Sequence, residues 1–308
     1  MKKWFSSFFK FNLKQRLYAA FGLILIVPTI AVGFLAYHSA KDRLEEEFLN
    51  SAKENVGLLN SNITNTIEPK FHDANSLSEQ VKKTDYQNGE NSEVIKKLKQ
   101  YIDLHPEVQT IYVGTVDGRM ITYPKMELPA DFDPRERPWY QEAEQKKGNV
   151  VITSPYIDAG NGEMVVTITK TINDGSGVIG IDLNISKLTE TTEEVNIGKE
   201  GYAFLLDTKK NYIVHPNEKT GTVAEEGFYD NLYNDSAGHL NYKLDGKSKV
   251  MFFSSNDLTG WKVAGTMYTE EINDSAKSIL QTTLIVIAIA IVIGAAIVYF
   301  IIHSITGG

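Results

Sequence analysis

Hydrophobic residues follow three different spacings along this chain. Leu17–Tyr37 and Ile279–Ile302 are unbroken apolar blocks of 21 and 24 residues without a charge. At about 1.5 Å per residue each reaches about 30 Å, the depth of a bilayer core. A signal peptide is the alternative for the first block, but signal cores are shorter, about 7–15 residues. Two membrane-spanning helices are expected. After the first block the spacing becomes amphipathic: Leu44, Phe48, Ala52, Val56, Leu59, Ile63 and Ile67 recur at steps of three and four. This predicts a stalk helix over residues 38–81, which Pro69 should end or kink.

Beyond the stalk the spacing becomes that of strands, and it repeats. Ile111–Pro124 and Phe204–Pro216 each read as a strand, a polar turn and a strand ending in Tyr-Pro or His-Pro. Asp117-Gly118 supplies the first turn and Lys210-Asn211 the second, with Asn suited to the left-handed conformation. Gly177–Leu188 and Gly260–Ile272 each read as a closing strand around Gly180 or Gly265, followed by a helix start. Glu163–Ile172 and Lys249–Ser254 are the strands before them. The repeat predicts two tandem modules, Lys82–Leu188 and Thr189–Asp274, each an antiparallel sheet of about five strands with a helical flank. The fold class is α+β, since the strands run in hairpins.

Charge sets the expected orientation. Lys2, Lys3, Lys10, Lys14 and Arg16 precede the first apolar block with no acid among them, so residues 1–16 are a tail that should stay in the cytoplasm. The chain carries −8 and this tail +5, which leaves −13 for the segment between the membrane helices, placed outside. An acidic exterior argues against a nucleic-acid partner. The chain has no cysteine, so thiol catalysis and cysteine metal sites are excluded. No nucleophile motif, zinc motif or phosphate-cradling glycine loop is present, and neither an enzyme nor a cofactor is expected. The six histidines are scattered, and His215, standing where the first hairpin has Tyr123, reads as a fold position.

The two copies differ in one place that carries chemistry. The run Phe132–Tyr140, FDPRERPWY, occurs only in the first, and Asp182 follows Gly180 by two residues where Met267 follows Gly265. Arg137 offers the planar fork that carboxylates favour. Trp139 offers one N–H and a large apolar wall. Tyr156 and Asp182 could receive an ammonium. Asp182, flanked by Val and Ile, should be buried and needs a cation. From the residues alone that cation is either a ligand or Arg137 itself.

With these residues together, the chain resembles the double-Cache sensor domain of bacterial methyl-accepting chemotaxis proteins. The resemblance rests on two membrane helices around a two-module exterior, the D-P-R-x-R-P-W-Y run, and Gly201–Pro216 with its G-Y-A-F-L-L-D and V-H-P. It implies PAS-like modules, with residues 82–188 membrane-distal and 189–278 membrane-proximal. It also implies a small amino acid as ligand and signalling through the second membrane helix, residues 279–302. The implied partners are a second copy, paired through stalk and membrane helices, and a cytoplasmic chemotaxis kinase complex reached through a region beyond residue 308. Family members that bind amino acids carry Y-x-x-x-x-R-x-W-Y, then a Tyr and an Asp. On that pattern Arg137 and Trp139 match the carboxylate contacts, Tyr140 the adjacent aromatic, and Tyr156 and Asp182 the ammonium contacts. Phe132 departs from the pattern's first Tyr and removes a hydroxyl. Residues 303–308 resemble a truncated start of a HAMP module, with Gly307-Gly308 where the family has Pro. The alternatives are a histidine-kinase or cyclic-dinucleotide-enzyme output, and a sensor of pH or of a docked binding protein.

Overall fold

The computed structural model describes residues 13–306 except 88, 90 and 91. The basic positions Lys2, Lys3 and Lys10, and Gly307-Gly308, lie outside them. Two compact units result, one of residues 1–50 with 269–308, the other of residues 51–268.

The first unit holds the two apolar blocks. They lie within helices α1 (Leu13–Gln80) and α5 (Thr269–Thr306), both long and apolar enough to cross a membrane. Only 6% of each apolar window is buried against the rest of the chain, which a core helix would not tolerate. Small residues let the two helices approach: a Cβ on Gly33 would lie 2.3 Å from Ile287, and one on Gly294 2.5 Å from Leu25.

The second unit begins within α1. Ala52, Val56, Leu59, Ile63 and Ile67 form its buried stripe, as the spacing predicts, and Ala74 and Leu77 extend it past Pro69. Pro69, expected to end or kink the helix, does not end it; α1 continues to Gln80. Loss of the backbone bond and the ring clash disfavour mid-helix Pro by about 3 kcal/mol. Packing on both sides of Pro69 offsets this: Ile67 is buried, and buried Lys70 reaches Glu107 at 2.5 Å and His105 at 2.9 Å.

After α2 (Glu93–Leu104) the first sheet forms from β1 (Val108–Thr115), β2 (Met120–Tyr123), β3 (Val151–Ile152), β4 (Tyr156–Ile157), β5 (Met164–Thr171) and β6 (Gly177–Asn184). Its order is β2-β1-β6-β5-β3, with β4 also on β5. Helix α3 (Pro138–Gln145) precedes β3, and α4 (Ile185–Glu193) follows β6. The second sheet contains β7 (Tyr202–Leu206), β8 (Tyr212–Val214), β9 (Ala237–Leu244), β10 (Lys247–Ser255) and β11 (Lys262–Tyr268), in the order β8-β7-β11-β10-β9. The two orders correspond, and every pairing is antiparallel. The α+β expectation of two tandem PAS-like sheet modules holds.

Two details of the repeat differ from the sequence reading. In the first hairpin turn Gly118 takes the left-handed conformation, φ +84°, as expected. In the second it is Lys210, φ +66°, and not Asn211. Asp207 dictates this: it accepts the backbone N–H of Lys209 and Asn211 and the Asn211 amide at 2.7 Å, which holds Asn211 extended into the sheet side of the turn. The two strand glycines also face opposite ways. A Cβ on Gly180 would run into the Tyr112 ring at 2.2 Å, whereas one on Gly265 would meet Ile197 and Val56 of α1 at 2.8 Å. Met267, two residues on, therefore shares the α1 face and is not the counterpart of Asp182.

Candidate functional site

The outer face of the first sheet, away from α1, carries the site residues of the first module. β6 places Gly180 and Asp182 on this face, and their cross-strand partners are Tyr112 and Thr110 on β1 and Thr169 and Thr167 on β5. Gly180 leaves room for the Tyr112 ring. That ring delivers its hydroxyl to Asp182 Oδ1 at 2.7 Å, and the Thr167 hydroxyl reaches the same oxygen at 2.6 Å. Tyr156 Oη sits 2.6 Å from Thr167 Oγ1. With the Thr167 proton committed to an ionised Asp182, Tyr156 is the donor in that pair. Asp182 Oδ2 accepts no bond among the described residues.

Asp182 is 1% exposed and has no basic partner among the described residues. Burial raises its pKa to about 7, against the hydrogen bonds from Thr167 and Tyr112, which lower it. Burial, and then the charge of Asp182, hold the Tyr112 and Tyr156 phenols well above 10, so both remain donors.

Arg137 does not fill the gap. Its Nη2 donates to the Ile157 carbonyl at 2.7 Å, and no ion pair joins it to Asp182 among the described residues. Its guanidinium lies 5.7 Å from the Tyr156 ring and 6.0 Å from the Phe132 ring. The rest of its fork has no partner among the described residues. The local sequence explains its placement. Asp133 caps a short 3-10 turn, Pro134–Glu136, by accepting Arg135 N–H, and Pro138 starts α3 immediately after Arg137. Arg135 folds back onto Asp133 at the surface.

Trp139 and Tyr140 are buried with Tyr112, Ala143 and Val178. Trp139 lies 4.7 Å from the Tyr112 ring and 5.6 Å from Tyr140, and both rings pack over Gly114. Trp139 thus braces the Tyr112 that serves Asp182, and Tyr140 stands one ring further away. Of the six residues singled out in the sequence, Arg137, Phe132 and Tyr156 cluster directly. Asp182 and Trp139 join them through Tyr112 and Thr167, which sequence reasoning missed. The available signal was the pairing of Gly180 with an aromatic residue in the opposing hairpin. No group of three or more metal-ligating side chains occurs among the described residues.

A family model described as "Cache domain", dCache_1, matches residues 36–276. The chain belongs to the Cache-domain family. Its relatives include the methyl-accepting chemotaxis protein McpB of Bacillus subtilis, 39% identical over 99% of this chain and 46% of McpB. McpA of the same organism is 40% identical over 96% of this chain and 45% of McpA. The Cache chain thus spans about half the length of these curated relatives. Solved structures of similar fold include the ligand-binding domain of the Pseudomonas fluorescens chemoreceptor CtaA in complex with L-isoleucine, with TM-score 0.63, 22% identity and coverage of 77% of this chain and 98% of CtaA. The domain of Pseudomonas aeruginosa PctB with L-Arg aligns at TM-score 0.62 and 24% identity, over 74% and 91%.

Proposed function

We propose that this Cache chain is the sensory half of a chemotaxis receptor and that its first module binds a small amino acid. One observation carries the reading: a buried carboxylate, Asp182, with no basic partner among the described residues. A charge held in that state calls for a positive partner from outside. A ligand ammonium would take Asp182 and Tyr156 as its partners. Arg137, with most of its fork unused and Phe132 and Tyr156 flanking it, is the carboxylate anchor, and Trp139 the wall. Catalysis has no part in this reading. The names of the relatives, and the amino acids in the complexes of similar fold, agree with it.

In this reading residues 82–188 are the membrane-distal module and 189–278 the membrane-proximal one. The N-terminal tail is cytoplasmic, and the receptor is a dimer. Ligand binding favours one packing of the first module over another, and the shift reaches a cytoplasmic kinase complex through α5, whose first residue directly follows β11. A coupling of about 1–3 kcal/mol suffices. Thermal denaturation of the full chain in detergent against each of the twenty amino acids tests the proposal. At 100 times Kd a ligand adds about 2.7 kcal/mol of stability. Asp182→Ala and Arg137→Ala should each remove the shift, and an undiminished shift in either would overturn the assignment.

A further inference from the structure

A second opening lies beside α1, on the second module. α1 is fastened there by several contacts. Val56 occupies the space that Gly265 leaves, and Asn60 donates to Ser254 Oγ at 2.9 Å and the Ser255 carbonyl at 3.0 Å. Next to these anchors β9 begins with Ala237, Gly238 and His239, all exposed, so the edge of the sheet does not close onto the helix. The result is a cavity of about 310 Å³ between α1 and the β9–β10 edge. That is the lower end of the size range of small-molecule sites.

Its floor is apolar: Val56 and Phe252 are buried and share the α1 side of the sheet, while the neighbouring Phe253 ring packs into the core on the other face. Its rim is polar: Lys53 and His239 are exposed, and the His239 ring stacks on Phe252 at 5.6 Å. No acidic residue lines it. Lys53 makes no ion pair among the described residues. Gly57 stands at its lip, in mid-helix, where glycine costs about 0.8–1 kcal/mol relative to Ala. A Cβ at Gly57 would meet nothing within 4 Å, so no contact inside the chain calls for glycine. The bare backbone keeps the opening clear for something that is not part of the chain.

We propose that this groove is a second ligand site, for a small apolar carboxylate without an amino group. Phe252 and Val56 take the apolar body, and Lys53 takes the carboxylate at the rim. The absence of any acid among the lining residues separates it from an amino-acid site, since an ammonium would have no counter-charge there. The occupant would lie between α1 and the second sheet, independent of Asp182 and Arg137.

Calorimetry on the full chain in lipid nanodiscs, with benzoate as probe and cyclohexylamine as its cationic counterpart, tests this. Benzoate should bind and cyclohexylamine should not. Lys53→Glu, an exposed change that leaves the core intact, should weaken benzoate by about tenfold, equivalent to about 1.4 kcal/mol. Gly57→Leu should abolish binding, and a mixture of the twenty amino acids should not compete. The proposal falls if benzoate does not bind up to the millimolar range, or if the amino-acid mixture displaces it, which would place it in the first module. It also falls if both variants bind benzoate as before while Gly57→Leu alters sedimentation, which would make the groove a contact between copies.

Discussion

The two modules share a strand order and bury opposite charges on the outer faces of their sheets. The first buries an acid there, Asp182, at 1% exposure. The second buries bases there: Lys249 is 2% exposed, on β10, and Lys262 5%, on β11. The Lys249 ammonium lies 4.5 Å from the Tyr202 ring centre, 4.6 Å from that of Tyr268, and 3.3 Å from the Tyr202 hydroxyl. Aromatic faces stabilise a desolvated cation by about 2 kcal/mol, which offsets part of the burial that lowers the Lys249 pKa. The first module has no such internal answer. Its outer-face row Thr110–Asp182–Thr167 is polar, where the second has Tyr202–Thr266–Met251. Its edge is also broken, with β3 and β4 two residues each on either side of Pro155, against an unbroken eight-residue β9. The break is what brings Tyr156 over the face. One scaffold therefore yields a module that partly offsets its buried charge with its own rings and a module that is incomplete without a cation.

The sharpest way to break this comparison is to neutralise each buried charge. Asp182→Asn keeps an acceptor for Tyr112 and Thr167 while deleting the charge that burial disfavours. The ligand-free protein at pH 8 should gain on the order of 2–4 kcal/mol. Lys249→Met removes a cation whose burial the rings only partly offset, and should change stability by about 1 kcal/mol or less. Denaturant unfolding of both variants checks the unequal sizes; equal gains would mean that the two charges are not held differently.

A second measurement follows from the same acid. Its folded pKa, about 7, exceeds the ordinary 3.8, so the folded state binds the extra proton. The ligand-free domain should be most stable below about pH 4 with respect to this group, and lose that contribution as pH rises to about 7. An ammonium requires the ionised form, so amino-acid affinity should rise up to tenfold per pH unit below about 7 and level off above it. Calorimetry in buffers of different ionisation enthalpy should detect a proton released on binding at pH 6. The smallest effect concerns Phe132: Phe132→Tyr should tighten the ligand by about 0.5–1.5 kcal/mol, read as a severalfold lower Kd.

Much of the fold could be read from spacing. The stripe from Ala52 to Ile67, the paired hairpins and the closing strands with their glycines all appear in the sequence, because periods of 3.6 and 2 register burial directly. What failed was what local pattern does not encode. Pro69 does not end α1, because Lys70 and Ile67 are held by groups distant in sequence. Gly265 was matched to Gly180 by position, yet a one-residue shift in register reverses the face, and only the sheet reveals it. In the site, Arg137, Tyr156 and Asp182 stood out as residue types of opposite charge or hydrogen-bonding use. Tyr112 and Thr167 did not, because a Tyr and a Thr in strands are ordinary until the register sets them against Asp182.

The hydrogen at Gly180 has a consequence for how such a receptor can change. Even a methyl group there would collide with Tyr112, and displacing that ring withdraws a hydroxyl from Asp182 and unseats Trp139 with it. Sensitivity can therefore be lost at a position no ligand touches, and a lineage abandoning its stimulus could fall silent there while every contact residue stays intact.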